Sequence, residues 1–135
     1  MKTDLSGVDA PLSVSPLVAD GLFIRQDEYY KKYFYADIVW IEASANYCDF
    51  YFKDKSRITV ACRLGVVERQ LPDVYFARVH RGFILNLRYV DTWAGNSLRA
   101  VGKWFPIGDH YRKNVLACFN ILDTSREYPK TGRKE

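Results

Sequence analysis

Phe76-Ala77-Arg78-Val79-His80-Arg81-Gly82-Phe83-Ile84-Leu85-Asn86-Leu87 is the stretch on which the reading of this chain turns. An apolar run is interrupted by Arg78 and Arg81 around a histidine; Gly82 follows, and a second apolar run ends in Asn86. Short β-branched and aromatic runs on either side of a polar, glycine-containing break predict two buried strands joined by a tight loop. That loop pushes guanidinium groups outward.

Working outward, the same kind of segment recurs. Upstream, strands are predicted over 22–26, 29–35, 37–43, 46–53 and 57–62, the last two joined through Asp54-Lys55-Ser56 as a hairpin. Within 37–43 the alternation is imperfect and places Ile38, Trp40 and Ala43 on one face. Leu64, Val67 and Leu71 fall at i, i+3 and i+7, which predicts one short amphipathic helix stopped by Pro72. Downstream come strands over 75–79, 83–85 and 89–93, then a hairpin 97–101/104–107 turning on Gly102-Lys103. Residues 111–122, with Val115, Leu116, Phe119 and Leu122 apolar, read as a second helix. Many short strands with little helix imply mainly antiparallel β architecture, and composition alone does not separate sandwich from barrel.

With 135 residues the chain suits one domain with a real core. Its 48% apolar content excludes disorder, and 16% aromatics favour strands over a helical bundle. Residues 1–21, with Ala10-Pro11 and Ser15-Pro16, read as a linker; 22–122 form the domain; 123–135 form a charged tail. No apolar run is long enough to span a membrane, and the first residues lack the h-region of a secretory signal. Cys48, Cys62 and Cys118 are odd in number and lack paired metal-ligand spacing, so neither a disulfide framework nor a metal site is expected. Together these features predict a cytoplasmic chain. Residues 22–122 hold 15 Lys/Arg against 10 Asp/Glu, a modest positive balance that suits a polyanionic partner.

Catalytic signatures are missing: there is no nucleophile elbow, P-loop, zinc-protease or dinucleotide motif, and only His80 and His110 could act as neutral-pH bases. No catalytic residue, metal or cofactor is therefore assigned. Arg81 is the leading binding residue, because a planar guanidinium matches guanine O6 and N7 bidentately; its bland alternative is a solvated strand-end charge. Gly82 beside it would let backbone approach a phosphate. Arg78 is expected to pair structurally with its stem buried; on the bland alternative both Arg78 and Arg81 are solvated strand-end charges paired with Asp73 or Asp91. His80 is expected to be hydrogen-bonded in place, and Asn86 to satisfy backbone groups.

The motif of 76–86 resembles the Phe-x-Arg-Val-His-Arg-Ser signature, followed by aromatic, aliphatic and Val-Asn positions, of the LytTR family of bacterial DNA-binding domains. The likeness continues upstream in Asp37-Ile38-Val39-Trp40-Ile41-Glu42-Ala43 and Asn46-Tyr47, and downstream in Phe105-Pro106-Ile107-Gly108 and Tyr111-Arg112-Lys113. It implies an elongated arrangement of small antiparallel β-sheets with one or two short helices, reading DNA by loops. It further implies sequence-specific binding of double-stranded DNA by a transcription regulator of the two-component type. Such a regulator binds paired sites as a homodimer, under control of a receiver domain and a histidine kinase. The chain would be an isolated output domain or a piece of a longer protein.

On this resemblance the residue after the histidine, Arg81, contacts a base. A second contact falls in the loop Ser44–Cys48, aligning with Cys48; a thiol bonds bases poorly, so Asn46 to adenine and Tyr47 to phosphate are the alternatives, with Asn46 as a mere turn residue the bland one. The third segment opens the C-terminal helix, where His110, Arg112 and Lys113 would meet phosphate. Asp109 stands where many relatives carry a base-reading Arg. It is read as a helix N-cap or as an acceptor for cytosine N4. These departures at Cys48 and Asp109 motivate a competing reading: a protein-interaction or sensory domain on the same fold with weakened DNA binding.

Overall fold

The computed structural model describes residues 18–122. Most of the proposed linker 1–21 and all of the tail 123–135 lie outside the described residues, and Gly21 already belongs to the first strand. Ten strands and two α-helices follow in the order β1 (Gly21–Gln26), β2 (Tyr29–Phe34), β3 (Ile38–Ser44), β4 (Tyr47–Phe52), β5 (Arg57–Val60), α1 (Leu64–Gln70), β6 (Phe76–His80), β7 (Phe83–Asn86), β8 (Val90–Ala94), β9 (Ser97–Ala100), β10 (Lys103–Pro106) and α2 (Asp109–Leu116). The fold is mainly β, with every strand pair antiparallel.

A five-stranded sheet, ordered β5-β4-β3-β7-β6, forms the middle layer. Strand alternation gives it two apolar faces. One carries Ile41, Cys48, Phe50, Phe52 and Ile84, and packs beneath the β1–β2 hairpin and α1 through Ile24, Leu64, Val67 and Leu71. The other carries Val79 and Leu85, with Trp40 and Phe83 partly buried, and packs against the sheet β10-β9-β8 and α2 through Leu98, Phe105 and Val115. The protein is thus three layers with two cores.

Two bulges shift the phase of the alternation. In β3 the register slips at Val39, so Ile38 pairs with Phe52 while Trp40 pairs with Tyr51. An extra residue reverses the faces of everything after it. Ile38 and Ile41 therefore share the first core and Trp40 joins the second, in place of the common face expected for Ile38 and Trp40. A matching slip at Val79 in β6 brings His80 opposite Phe83.

Other expectations are corrected locally. Tyr35–Asp37 and Leu87–Tyr89 wind into single 3₁₀ turns, so β2 stops at Phe34. The β9–β10 turn uses Val101-Gly102, both at positive φ (49° and 76°), and Lys103 already lies in β10. The second helix begins two residues earlier and ends six earlier than periodicity suggests. Beyond Leu116 the backbone tightens, with Cys118 N–H donating to Val115 O and Phe119 N–H to Leu116 O, and Leu122 is 85% exposed. A helix this short has no apolar face to extend once the sheet it covers has ended.

Candidate nucleic-acid interface

Three hydrogen bonds pull four separate turns to one end of the middle sheet. The Ala43 amide donates to Gly82 O at 2.9 Å, which joins the β3–β4 turn to the β6–β7 turn. The Gly108 amide donates to Val79 O at 2.8 Å and sets the start of α2 beside His80. The Ile107 amide donates to Asn96 O at 2.7 Å and adds the β8–β9 turn. All three segments singled out from the sequence meet here. The fourth, Gly95-Asn96, was not singled out; a Gly-Asn pair between two strands is a turn signal, but nothing local reports where a turn points.

The β6–β7 turn is clamped from behind. The Arg78 side chain, 15% exposed, donates through Nη1 to Glu68 Oε1 at 2.8 Å, through Nε to His80 O at 3.0 Å, and through Nη2 to Arg81 O. Its acid is Glu68 of α1; Asp73 and Asp91 do not take it, and Asp91 is held by Arg99. The Gly82 amide donates to His80 Nδ1 at 3.1 Å, while the imidazole tilts against Phe83 at 5.7 Å between centroids. Arg81 itself stands exposed at the tip. A Cβ at Gly82 would approach His80 Nδ1 to 3.5 Å, an ordinary contact, so the local backbone does not demand glycine there. Asn86, 1% exposed, donates to Tyr35 O and Ile38 O and accepts from the Arg88 amide, tying two 3₁₀ turns together.

In the β3–β4 segment only Ala45-Asn46 is turn, with Ala45 at φ 55°. Asn46 is exposed and Tyr47 is half exposed at the start of β4. Cys48 is corrected: it is 0% exposed, faces the first core, and donates its thiol to Cys62 O at 2.9 Å. Strand alternation places Tyr47 outward and so Cys48 inward, which removes it from any surface contact. Burial pushes the Cys48 thiol up to about 11, helped by nearby Cys62 and Asp49. With the folded value above the ordinary 9.0, the neutral thiol's contribution is complete below pH 9 and is lost as pH rises toward 11. Urea unfolding from pH 9 to 11 should therefore show an extra loss on the order of 2 kcal/mol in the parent over Cys48→Ala. Parallel decline of the two proteins would refute the buried thiol.

At the third segment the cap position of α2 falls to Gly108 (φ −72°, ψ 146°), with no side-chain cap bond. Asp109 is the first helical residue and is exposed, which corrects its reading as N-cap; its carboxylate meets the positive end of the helix. His110 and Lys113 are exposed, and His110 stands edge-on to Tyr111. Arg112 turns back, donating to Gly95 O at 2.8 Å and to Asn96 Oδ1, with its guanidinium 6.0 Å from the Trp93 ring. One guanidinium nitrogen, Nη1, is committed to building the end. Among the described residues no group of three His, Cys, Asp or Glu could hold a metal, and no helix is long and apolar enough to cross a membrane.

A layered β domain that gathers exposed Arg, Lys, Asn and Tyr on turns at one end belongs to the class that meets a ligand through loops on a rigid scaffold. Residues 30–118 match the LytTr DNA-binding domain family, and the chain belongs to that family of DNA-binding domains. Sensory transduction protein LytT of Bacillus subtilis (strain 168) is 32% identical over 69 residues, covering 47% of this chain and 29% of that protein. The chain thus spans less than a third of that relative. Among solved structures, the LytTr DNA-binding domain of a putative methyl-accepting/DNA response regulator from Bacillus cereus superposes with a TM-score of 0.61. It is 17% identical, and the match covers 73% of this chain and 95% of that one. That likeness establishes the shared fold.

Proposed function

We propose that the domain binds specific sites in double-stranded DNA through the turn-bearing end, as the output module of a two-component transcription regulator. Family membership supports DNA binding, and the observation that carries the choice of surface is the hydrogen-bonded gathering of the turns, with Arg81 exposed on a clamped backbone. In this reading Arg81 reads a base edge in the major groove. Lys113, His110 and Tyr47 sit over phosphates, Gly82 keeps the turn beside them slim while its amide stays on His80, and Asn46 reads or positions DNA beside Arg81. Asp109 lowers affinity by facing the same polyanion. Arg112 acts through the β8–β9 turn it holds. Two copies on paired sites, driven together by a phosphorylated receiver domain that a histidine kinase serves, complete the proposal.

The buried Cys48 and the engaged Arg112 favour one competitor, a protein-interaction domain with residual DNA affinity. Salt titration separates the two. If about five to eight phosphates are neutralised, log K against log salt should slope at about −5 to −7. Arg81→Ala should weaken specific binding by about 1–3 kcal/mol and relax preference at one base pair. Lys113→Ala should weaken every duplex alike and make the slope shallower. A slope near zero, or identical behaviour of both variants across mutated sites, would sink the assignment.

A further inference from the structure

The opposite end of the middle sheet carries a second cationic feature that the turn-bearing end does not use. Strand β4 runs away from Asn46 for six residues, so its far turn lies about 20 Å from the near one. There the β4–β5 turn, with Lys55 at φ 74°, faces the β9–β10 turn, with Val101 at φ 49°. Between them opens a cleft of about 220 Å³ lined by Val39, Trp40 and Phe52, with Lys53, Lys55 and Lys103 around it. Arg57 stands alongside, its guanidinium 5.9 Å from the Tyr51 ring centroid.

The charge here is only partly compensated: the Arg57 guanidinium is hydrogen-bonded with Tyr51 and feels Asp49 and Glu42, which together raise its pKa. Asp37 neutralises Lys53 at 3.1 Å, and the Asp54 carboxylate is occupied by the Ser56 amide and hydroxyl. Among the described residues no ion pair joins Lys55, Arg57 or Lys103. Lys55 and Lys103 line an apolar floor with no acid paired to either, and an anionic occupant would be attracted there, with Arg57 adding positive charge at the margin.

We infer that this cleft docks an acidic, extended segment of a partner protein, with one apolar side chain on the Val39–Trp40–Phe52 floor and flanking carboxylates on Lys55, Arg57 and Lys103. The aromatic geometry selects this occupant over nucleic acid. Trp40 and Tyr51 stack on each other at 4.1 Å and 8°. The remaining sides of the stack are attended by the Phe105 edge, Lys103 and Arg57. No ring face is left as a platform for a base, which single-strand binding requires. A duplex backbone offers phosphates but no apolar group for the floor. The site faces away from the turns, so partner and DNA can be held together.

The test uses the full chain and a fluorescein-labelled, end-capped pentapeptide with a central leucine between pairs of glutamates, followed by anisotropy at low salt. Saturable binding is expected. Lys55→Glu combined with Lys103→Glu, both exposed positions, should weaken it about tenfold or more, as should glycine for the peptide's leucine. Arg81→Ala and a saturating duplex should leave it unchanged, which keeps this result separate from the DNA assignment. Unaltered thermal melting of the double variant ties the loss to the cleft; as a second variant, Arg57→Glu should reproduce it. No saturable binding, parent-level binding by both variants, or displacement of the peptide by duplex would each overturn the inference.

Discussion

Phe105→Ala should destabilise the domain by about 3–5 kcal/mol, the usual loss when a fully buried aromatic is cut back to a methyl. Phe105 is 0% exposed and lies between layers, edge-on to Trp40 at 5.3 Å and to Phe83 at 5.6 Å. These three rings bridge the outer sheet and the middle one within the second core, so the cavity would open at a layer boundary. Urea denaturation read by tryptophan fluorescence measures the loss, and Phe105→Leu should lose less because most of the volume is kept. A loss under about 1 kcal/mol for the alanine variant would mean that the layers are held elsewhere. Since the Gly108 amide hangs from β6 two residues beyond β10, the same substitution should also loosen α2.

Asn86→Ala should cost about 2 kcal/mol, from the buried Ile38 carbonyl losing its side-chain donor and the Arg88 amide its acceptor, while the Tyr35 carbonyl keeps only the Ile38 amide. The Asn86 amide donates at 3.2 Å to Tyr35 O and at 2.9 Å to Ile38 O, residues some fifty positions away in the chain. Asn86→Leu separates bonding from volume, because it fills the space but satisfies nothing. Leucine and alanine should both fail in equilibrium unfolding. A leucine variant as stable as the parent would show that packing, and not the three bonds, holds this corner.

Much of the fold was legible because strands of four to seven residues alternate and their breaks carry recognisable turn chemistry. The hairpins were found in order, and the helix over Leu64, Val67 and Leu71 buries all three residues. The faces were not legible past Val39, since a bulge changes phase without changing composition. For the same reason the inward aim of Cys48 is not legible: a loop over 44–48 overruns the Ala45-Asn46 turn, and strand phase decides burial from the strand's true start at Tyr47. Of the site, residue type points to hydrogen-bonded, structural side chains at Arg78, His80 and Asn86, whereas the acid that Arg78 takes, Glu68 in place of Asp73 or Asp91, depends on how α1 lies on the sheet. The retreat of Arg112 likewise depends on Gly95-Asn96, sixteen or so residues away.

Arg78 grips its turn by the carbonyls of residues 80 and 81 and never touches the Arg81 side chain. Main-chain oxygens are the same whatever amino acid supplies them. The path of the turn and the chemical identity of its outermost side chain are therefore separately specified, one by α1 and β6, the other by a single codon. On the proposed role of Arg81, a lineage could exchange the residue at 81 for Asn, Lys or Gln without rebuilding its support, and so drift from one recognition preference to another through folded intermediates. The buried guanidinium makes the exposed one replaceable.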